Sequence, residues 1–252
     1  MILGLVTYDI GKNWDVETII QKLEAARYEV VELRTTHKHG VEPSLSREER
    51  LRVRTQFSRS KIRLVGLGTV CEFHSPDAAV RAQNVADCKA FIELAHDLGA
   101  VGVKVRPNAF PEGVQRTATI QRIGEALREC GLYGARYGVE VWLEVHGRET
   151  QDPPNIAAMM KACQHPSVGV CWNSNPTDVV NGSVRQNFEL LRPYIKSCHI
   201  TELSNDYPWR ELFTLLRKSG YDRWTLCEVA ESKEPERFLG YYRALWTELN
   251  RA

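Results

Sequence analysis

The stretch VEVWLEVHG, residues 139–147, decides how the rest of the chain is interpreted. Successive side chains of a β-strand point to opposite faces, so the four aliphatic residues of this stretch share one face. Glu144 and His146 lie on the other face, next to Gly147, which is typical of a strand end. The pattern predicts a strand with one apolar face and with a carboxylate and an imidazole at its exit.

Strands and amphipathic helices alternate along the whole chain, and the opening stretch is the fifth strand. Short apolar runs predict the other strands at residues 2–8, 30–35, 64–70, 101–106, 168–172, 197–200 and 225–229. Helical sequence follows each strand, and the second helix opens with Ser46 and Glu49, a capping-box pair. Such long return connections indicate parallel strands with helical crossovers. We therefore expect one (β/α)8 TIM-barrel domain over residues 1–252.

A doubly wound open sheet is the alternative architecture. The turn after its first strand would normally carry a GxGxxG motif, in which glycines let the backbone approach a pyrophosphate group. The corresponding sequence here is TYDIGKNWD, residues 7–15, which lacks that motif. The barrel is therefore preferred.

The amino-acid composition limits the classes of molecule that the protein is expected to bind. The chain has 33 basic and 32 acidic residues, so it lacks the basic surplus of proteins that bind nucleic acid or anionic membranes nonspecifically. No uncharged run approaches the length of a membrane span. The seven cysteines include no CxxC pair, which predicts buried free thiols in a reducing compartment. We expect a soluble, cytoplasmic protein with a small-molecule partner, and leave open whether it forms a homo-oligomer.

Four consecutive predicted strands end in polar residues: Glu144, Asn173, His199 and Glu228. Their spacings of 29, 26 and 29 residues each correspond to about one βα unit, so a barrel would bring them to one mouth. Two carboxylates, an amide oxygen and an imidazole suit a divalent ion such as Mn, Mg, Co or Zn. The alternative is that the glutamates form salt bridges and that His199 is a hydrogen-bonded core residue.

Other polar residues at the predicted mouth are candidates for substrate binding. Lys104 and Arg106 share a face of the fourth strand and are suited to hold a substrate oxygen or a phosphate, or else to pair with Glu32. The full candidate set is Glu32, His74, Lys104, Arg106 and His146.

The chain resembles the xylose isomerase-like barrels, also called the sugar phosphate isomerase/epimerase family. That family includes ketose 3-epimerases, hydroxypyruvate isomerase, inosose dehydratase and, more distantly, endonuclease IV. The resemblance covers essentially the whole chain and rests on VVELR at 30–34, LEVHG at 143–147, the HI pair at 199–200 and the last strand with Glu228.

The resemblance implies that Glu144, His199 and Glu228 bind a divalent metal and that the two glutamates also transfer protons. The fourth family ligand is usually an aspartate, with a histidine three residues later. This chain has Asn173 and Pro176 at those positions. The implied activity is metal-dependent isomerisation or epimerisation of a keto sugar or related polyol derivative by enolisation.

Three alternatives stay open. A lyase or dehydratase acting on a keto sugar or keto glycoside would use the same carboxylates. A barrel that binds sugar without catalysis is suggested by Asn173. A phosphodiester hydrolase is disfavoured, because a metal cluster would need further His and Asp ligands.

Overall fold

Eight parallel strands close into a barrel in the computed structural model, which describes residues 1–251. The strands are β1 (Ile2–Val6), β2 (Val30–Arg34), β3 (Arg63–Glu72), β4 (Gly102–Arg106), β5 (Glu140–Glu144), β6 (Val168–Asn173), β7 (Ile195–Ile200) and β8 (Trp224–Cys227). Each strand pairs with the next, and β1 pairs with β8. The predicted (β/α)8 architecture is confirmed.

Helices connect the strands and surround the barrel. They are α1 (Val16–Ala25), α2 (Arg47–Ser58), α3 (Ala78–Leu98), α4 (Arg116–Tyr137), α5 (Pro153–Cys163), α6 (Arg185–Leu191), α7 (Trp209–Lys218) and α8 (Pro235–Leu249). Ser46 and Glu49 form the predicted capping box at the start of α2, which satisfies N–H groups of the first turn. Within residues 1–251, no helix combines the length and the apolar character needed to cross a bilayer.

The core has two parts, and the alternation of β5 supplies both. Val141 and Leu143 belong to the large cluster between the barrel and its helices. Trp142 belongs to a second cluster with residues from five other strands, which meet only inside the barrel. All seven cysteines are buried and free, as predicted.

The loop after β5 fixes the position of the last residues of the opening stretch. β5 ends at Glu144, so His146 and Gly147 lie in the loop rather than in the strand. Gly147 has a φ of 92°, and a Cβ atom there would lie 1.9 Å from the Asn108 carbonyl oxygen. Only glycine fits this turn, which brings the β5 loop against the β4 loop.

Candidate metal and substrate site

The ends of β5 to β8 bring Glu144, Asn173, His199 and Glu228 together. One ligand atom each of Glu144, His199 and Glu228 lies within 4.8 Å of the others. His199 Nδ1 lies 3.5 Å from Glu144 Oε1 and 3.4 Å from Glu228 Oε2. Asn173 Nδ2 donates to Glu144 Oε1 at 3.3 Å. The structure therefore assembles at one mouth the four residues selected from the sequence.

Glu32 orients the His199 ring from below. Its carboxylate lies 3.2 Å from His199 Nε2, and both side chains are fully buried. An ionised carboxylate can only accept hydrogen bonds, so Nε2 carries a hydrogen atom and donates a hydrogen bond to Glu32. The other ring nitrogen, Nδ1, faces Glu144 and Glu228. A Cβ atom on residue 68 would lie 2.7 Å from Glu32 Oε1, so Gly68 leaves the space that this carboxylate occupies.

Lys104 neutralises part of the negative charge at the site. Its buried ammonium donates to Glu144 Oε2 at 2.7 Å. Burial alone would raise the pKa of Glu144, but the charge of Lys104 and the contact with His199 lower it below its usual range. Burial also opposes the charge of Lys104, yet Glu144, Glu32 and Glu228 raise the pKa of the lysine. Glu144 is thus held as a carboxylate.

Among the four candidate metal ligands, two buried atoms lack hydrogen-bond partners within residues 1–251: His199 Nδ1 and Asn173 Oδ1. A buried polar atom without a partner costs free energy unless another group satisfies it. Both atoms can donate an electron pair to a metal, as can the carboxylate oxygens of Glu144 and Glu228. The donor set of one nitrogen and three oxygens fits a divalent ion.

A second polar cluster lies at the rim beside β3 and β4. Glu72 accepts from Arg106 Nη2 through one oxygen and from Asn108 Nδ2, at 2.8 Å, through the other. His74 Nδ1 lies 3.8 Å from the same carboxylate. Arg106 is therefore held by an ion pair, and His74 packs beside that pair.

A cavity of about 330 Å³ opens above the metal-ligand cluster. Every strand except β3 contributes to its lining, either at the strand end or in the following loop. Six of the predicted site residues line it: Lys104, Arg106, Glu144, His146, Asn173 and Glu228. The other three predicted site residues, Glu32, His74 and His199, do not line the cavity. Glu32 and His199 are fully buried beneath it.

His146 turns part of its ring towards this cavity. Its Nδ1 atom is buried and has no hydrogen-bond partner within residues 1–251. Burial lowers the pKa of His146, and the charges of Lys104 and Arg106 add to that effect although Glu144 opposes it. The lowered pKa favours the neutral imidazole form of His146.

A larger groove, of about 870 Å³, lies between α1 and α2. It is lined by the outer faces of these helices and by the loop around His39. Both ring nitrogens of His39 are occupied by backbone groups, Nε2 by Arg34 O at 2.8 Å and Nδ1 by Val41 N at 3.0 Å. The groove lacks the converging carboxylates of the barrel mouth, so the mouth is the candidate site.

Residues 20–244 match the family model described as the xylose isomerase-like TIM barrel. The chain belongs to this family. A search of curated protein sequences finds no match.

Solved structures similar to this xylose isomerase-like barrel include sugar epimerases. D-psicose 3-epimerase with D-tagatose, from Clostridium cellulolyticum H10, is 15% identical, and the alignment covers 100% of both chains with a TM-score of 0.86. The 3-keto-D-glucoside 4-epimerase YcjR from E. coli is 12% identical, with coverage of 98% of this chain and 99% of that chain and a TM-score of 0.83. The IolI protein with a bound zinc atom is 15% identical, with coverage of 99% and 96% and a TM-score of 0.78. At these identities the likeness shows the shared fold.

The sequence reasoning missed Glu72, and it left Arg34, Tyr8, Asn175 and Thr201 without a role. Glu72 was missed because the third strand was expected to end at residue 70, whereas β3 runs to Glu72 and pairs it with Arg106. The useful signal was a glutamate two residues beyond the predicted strand end, near the predicted mouth. The other four residues line the cavity from strand ends or loops.

Proposed function

We propose that this xylose isomerase-like barrel is a divalent-metal-dependent sugar isomerase or epimerase that acts on a keto sugar by enolisation. The observation that carries the proposal is the cluster of Glu144, His199 and Glu228 beneath a cavity of about 330 Å³, with two buried ligand atoms unpartnered among residues 1–251. The structural likeness to sugar epimerases supports the same substrate class.

Glu144, His199, Glu228 and the Asn173 side-chain oxygen would hold the ion. Once bound, a divalent ion would stabilise the negative charge that develops on a substrate oxygen when an adjacent carbon loses a proton. Glu32 keeps His199 in the tautomer that metal binding requires, because its carboxylate accepts a hydrogen bond from the Nε2–H group. Lys104 keeps Glu144 ionised through its hydrogen bond.

The two glutamates differ in their freedom to move a proton. Glu144 is held by Lys104 at one oxygen and by Asn173 at the other. The Glu228 side chain is 16% exposed, lines the cavity and has His199 as its only basic neighbour within 4.0 Å in the described chain. Glu228 is therefore the better proton acceptor. Glu144 rests as a carboxylate, so a proton that it returned from the other side would first have to reach it from the Lys104 ammonium across their hydrogen bond. Loss of a neighbouring hydroxyl instead of that return would give a lyase or dehydratase.

The test is deuterium incorporation from heavy water into a panel of keto sugars, with Mn²⁺ added. We expect deuterium at a carbon next to the carbonyl. Glu228→Gln and Glu144→Gln should each slow this exchange at least about 100-fold, because a glutamine amide can neither take up nor return the proton. Glu125→Gln, an exposed change on α4, is the matched control and should leave the rate unchanged. Exchange that persists in either site variant would remove that glutamate from proton transfer.

A sugar-binding barrel without catalysis is the second candidate. Two residues favour it. Asn173 replaces the acidic ligand suggested by the family resemblance and donates to Glu144, and Lys104 already forms a hydrogen bond with the Glu144 carboxylate that would bind the metal. Elemental analysis after incubation with Mn²⁺ separates the two readings. Sugar binding without retained metal and without deuterium exchange would favour the non-catalytic barrel and count against the enzyme.

A further inference from the structure

Arg34, the last residue of β2, lines the cavity without a partner for its charge. Its backbone N–H donates to Thr7 Oγ1 at 2.9 Å, but within residues 1–251 its guanidinium has no carboxylate within 4.0 Å and no hydrogen bond. The side chain is partly buried, and its Cζ atom lies 5.8 Å from the centre of the Tyr8 ring. A cation is thus held at the cavity wall by an aromatic ring rather than by an anion.

The other two cations of the cavity wall are already paired. Lys104 donates to Glu144 at 2.7 Å, and Arg106 donates to Glu72. Of the three cations in the lining, Arg34 alone has no carboxylate within 4.0 Å in residues 1–251. The cavity therefore has one uncompensated positive charge, and it lies at the end of β2.

Two acidic residues near His37, in the loop that follows Arg34, have other partners. Glu42 accepts from Thr35 Oγ1 at 2.7 Å and from the Thr36 backbone, and Asp9 lies 3.7 Å from Lys12 Nζ. The positive charge of Arg34 also acts on His37. Burial is the larger cause and the Arg34 charge the second cause that lower the pKa of His37 to about 4.

The position of Arg34 relates it to the reacting groups. The candidate metal ligands lie at the ends of β5 to β8, and β2 faces β6 across the ring of eight strands. A substrate bound beside Asn173, at the end of β6, would therefore extend its far end towards Arg34. A guanidinium binds a carboxylate or phosphate through two parallel N–H donors, whereas a neutral hydroxyl would leave its charge uncompensated.

We propose that the substrate is an anionic keto sugar, bearing a carboxylate or a phosphate ester, and that Arg34 binds that anionic group. The proposal rests on the keto-sugar activity proposed above and specifies its substrate class. Arg34 is then a specificity-determining residue that distinguishes anionic from neutral sugars.

The test compares three probes by calorimetry in the presence of Mn²⁺: D-fructose, D-fructose 6-phosphate and 5-keto-D-gluconate. We expect at least one anionic probe to bind about tenfold or more tighter than D-fructose, as a charge-assisted ion pair contributes. Arg34→Gln should remove this preference, so that the variant binds the anionic probes no more tightly than it binds D-fructose. Arg136→Gln, which removes the same charge from the exposed surface of α4, is the control and should keep the preference.

The phosphate and carboxylate probes identify the source of the anionic group, since Arg34-dependent binding of either one supports the proposal. Equal affinity for neutral and anionic probes, a preference that survives in Arg34→Gln, or no binding of either anionic probe would overturn it. Deuterium exchange separates this result from the proposed function. Exchange into neutral sugars without an anion preference refutes only the substrate class, whereas Arg34-dependent binding without exchange into any sugar refutes only the enolisation chemistry.

Discussion

Asn173 and Lys104 together set the charge of the candidate metal site. Glu32, Glu144 and Glu228 supply three negative charges around His199, and Lys104 supplies one positive charge. A divalent ion would bring this group to neutrality. An aspartate at position 173 would add a fourth negative charge beside Glu144, because Asn173 Nδ2 lies 3.3 Å from Glu144 Oε1. The amide therefore replaces a repulsive contact by a hydrogen bond when no ion is bound.

We predict that Asn173→Asp has opposite effects with and without metal. The variant should bind Mn²⁺ at least about tenfold more tightly than the unmodified protein does, since a carboxylate replaces an amide oxygen as ligand. The metal-free variant should be less stable by roughly 1–3 kcal/mol, because a buried hydrogen-bond donor is replaced by a further carboxylate beside three existing ones. Calorimetry with Mn²⁺ and denaturant unfolding with a chelator measure the two effects.

Asn181→Asp is the matched control for this prediction. Asn181 is exposed in the turn before α6 and has a φ of 51°, a conformation that aspartate also adopts. The same chemical change there should alter neither quantity. Equal or weaker Mn²⁺ affinity in Asn173→Asp would remove Asn173 from the ligand set.

At the scale of elements, the connection from β6 to α6 holds Asn173 in place. Asp178 is fully buried in this connection and accepts from the Asn175 backbone at 2.8 Å and from Tyr207 Oη at 2.9 Å. Asn175 Nδ2 in turn donates to the Val145 carbonyl, next to Glu144. Burial raises the pKa of Asp178 to about 7, although both hydrogen bonds favour the charged form.

This shift predicts a pH-dependent loss of stability. The pKa of Asp178 rises from 3.8 to about 7 on folding, so its contribution is fully present below about pH 4 and is lost as the pH rises through 7. Between about pH 5 and pH 8 the loss amounts to roughly 2–3 kcal/mol. Asp178→Asn cannot ionise and should lack this component.

Denaturant unfolding at about pH 5 and pH 8 checks the prediction. Asp178→Asn should lose less stability between the two pH values than the unmodified protein does. Asp206→Asn, an exposed aspartate near Tyr207, should retain the original pH dependence. Parallel pH profiles for the Asp178 variant and the unmodified protein would show that Asp178 ionises normally.

Strand order and strand-end chemistry could be predicted because both depend on local periodicity. The eight strands and the meeting of Glu144, Asn173, His199 and Glu228 follow from the alternation of elements. How deeply a side chain lies in the barrel cannot be predicted from this alternation. Glu32 was expected to contact substrate, but the structure places it beneath His199.

The partner of a side chain is equally hidden from a local pattern, because it depends on register between strands. Lys104 was considered a partner for Glu32, but it donates to Glu144 on the neighbouring strand. Glu72 faces Arg106 only because β3 shifts its register against β4 before that pair.

At the scale of the whole molecule, a stabilising ion-pair network and the candidate metal site lie at opposite ends of the barrel. Glu140 begins β5, at the end of the barrel opposite the cavity. Its carboxylate accepts from Arg223 at 2.7 Å, from Lys196 at 3.1 Å and from Trp142 Nε1 at 2.7 Å. One side chain thus joins β5, β7 and the residue before β8. The Arg223 carbonyl also accepts from Ile2 N, at the β1–β8 closure.

We predict that Glu140→Ala lowers the free energy of unfolding by roughly 2–4 kcal/mol, because two cations and an indole N–H lose their shared acceptor. Mn²⁺ affinity should change less than about twofold, since Glu144 lies four residue steps of extended strand from Glu140, roughly 13 Å. Denaturant unfolding and calorimetry measure the two quantities, with Glu125→Ala on α4 as the control. Glu140→Gln keeps one acceptor oxygen and should fall between the alanine variant and the unmodified protein. A Glu140→Ala protein of unchanged stability, or one that stays folded but loses Mn²⁺ binding, would contradict this division between the two ends of the barrel.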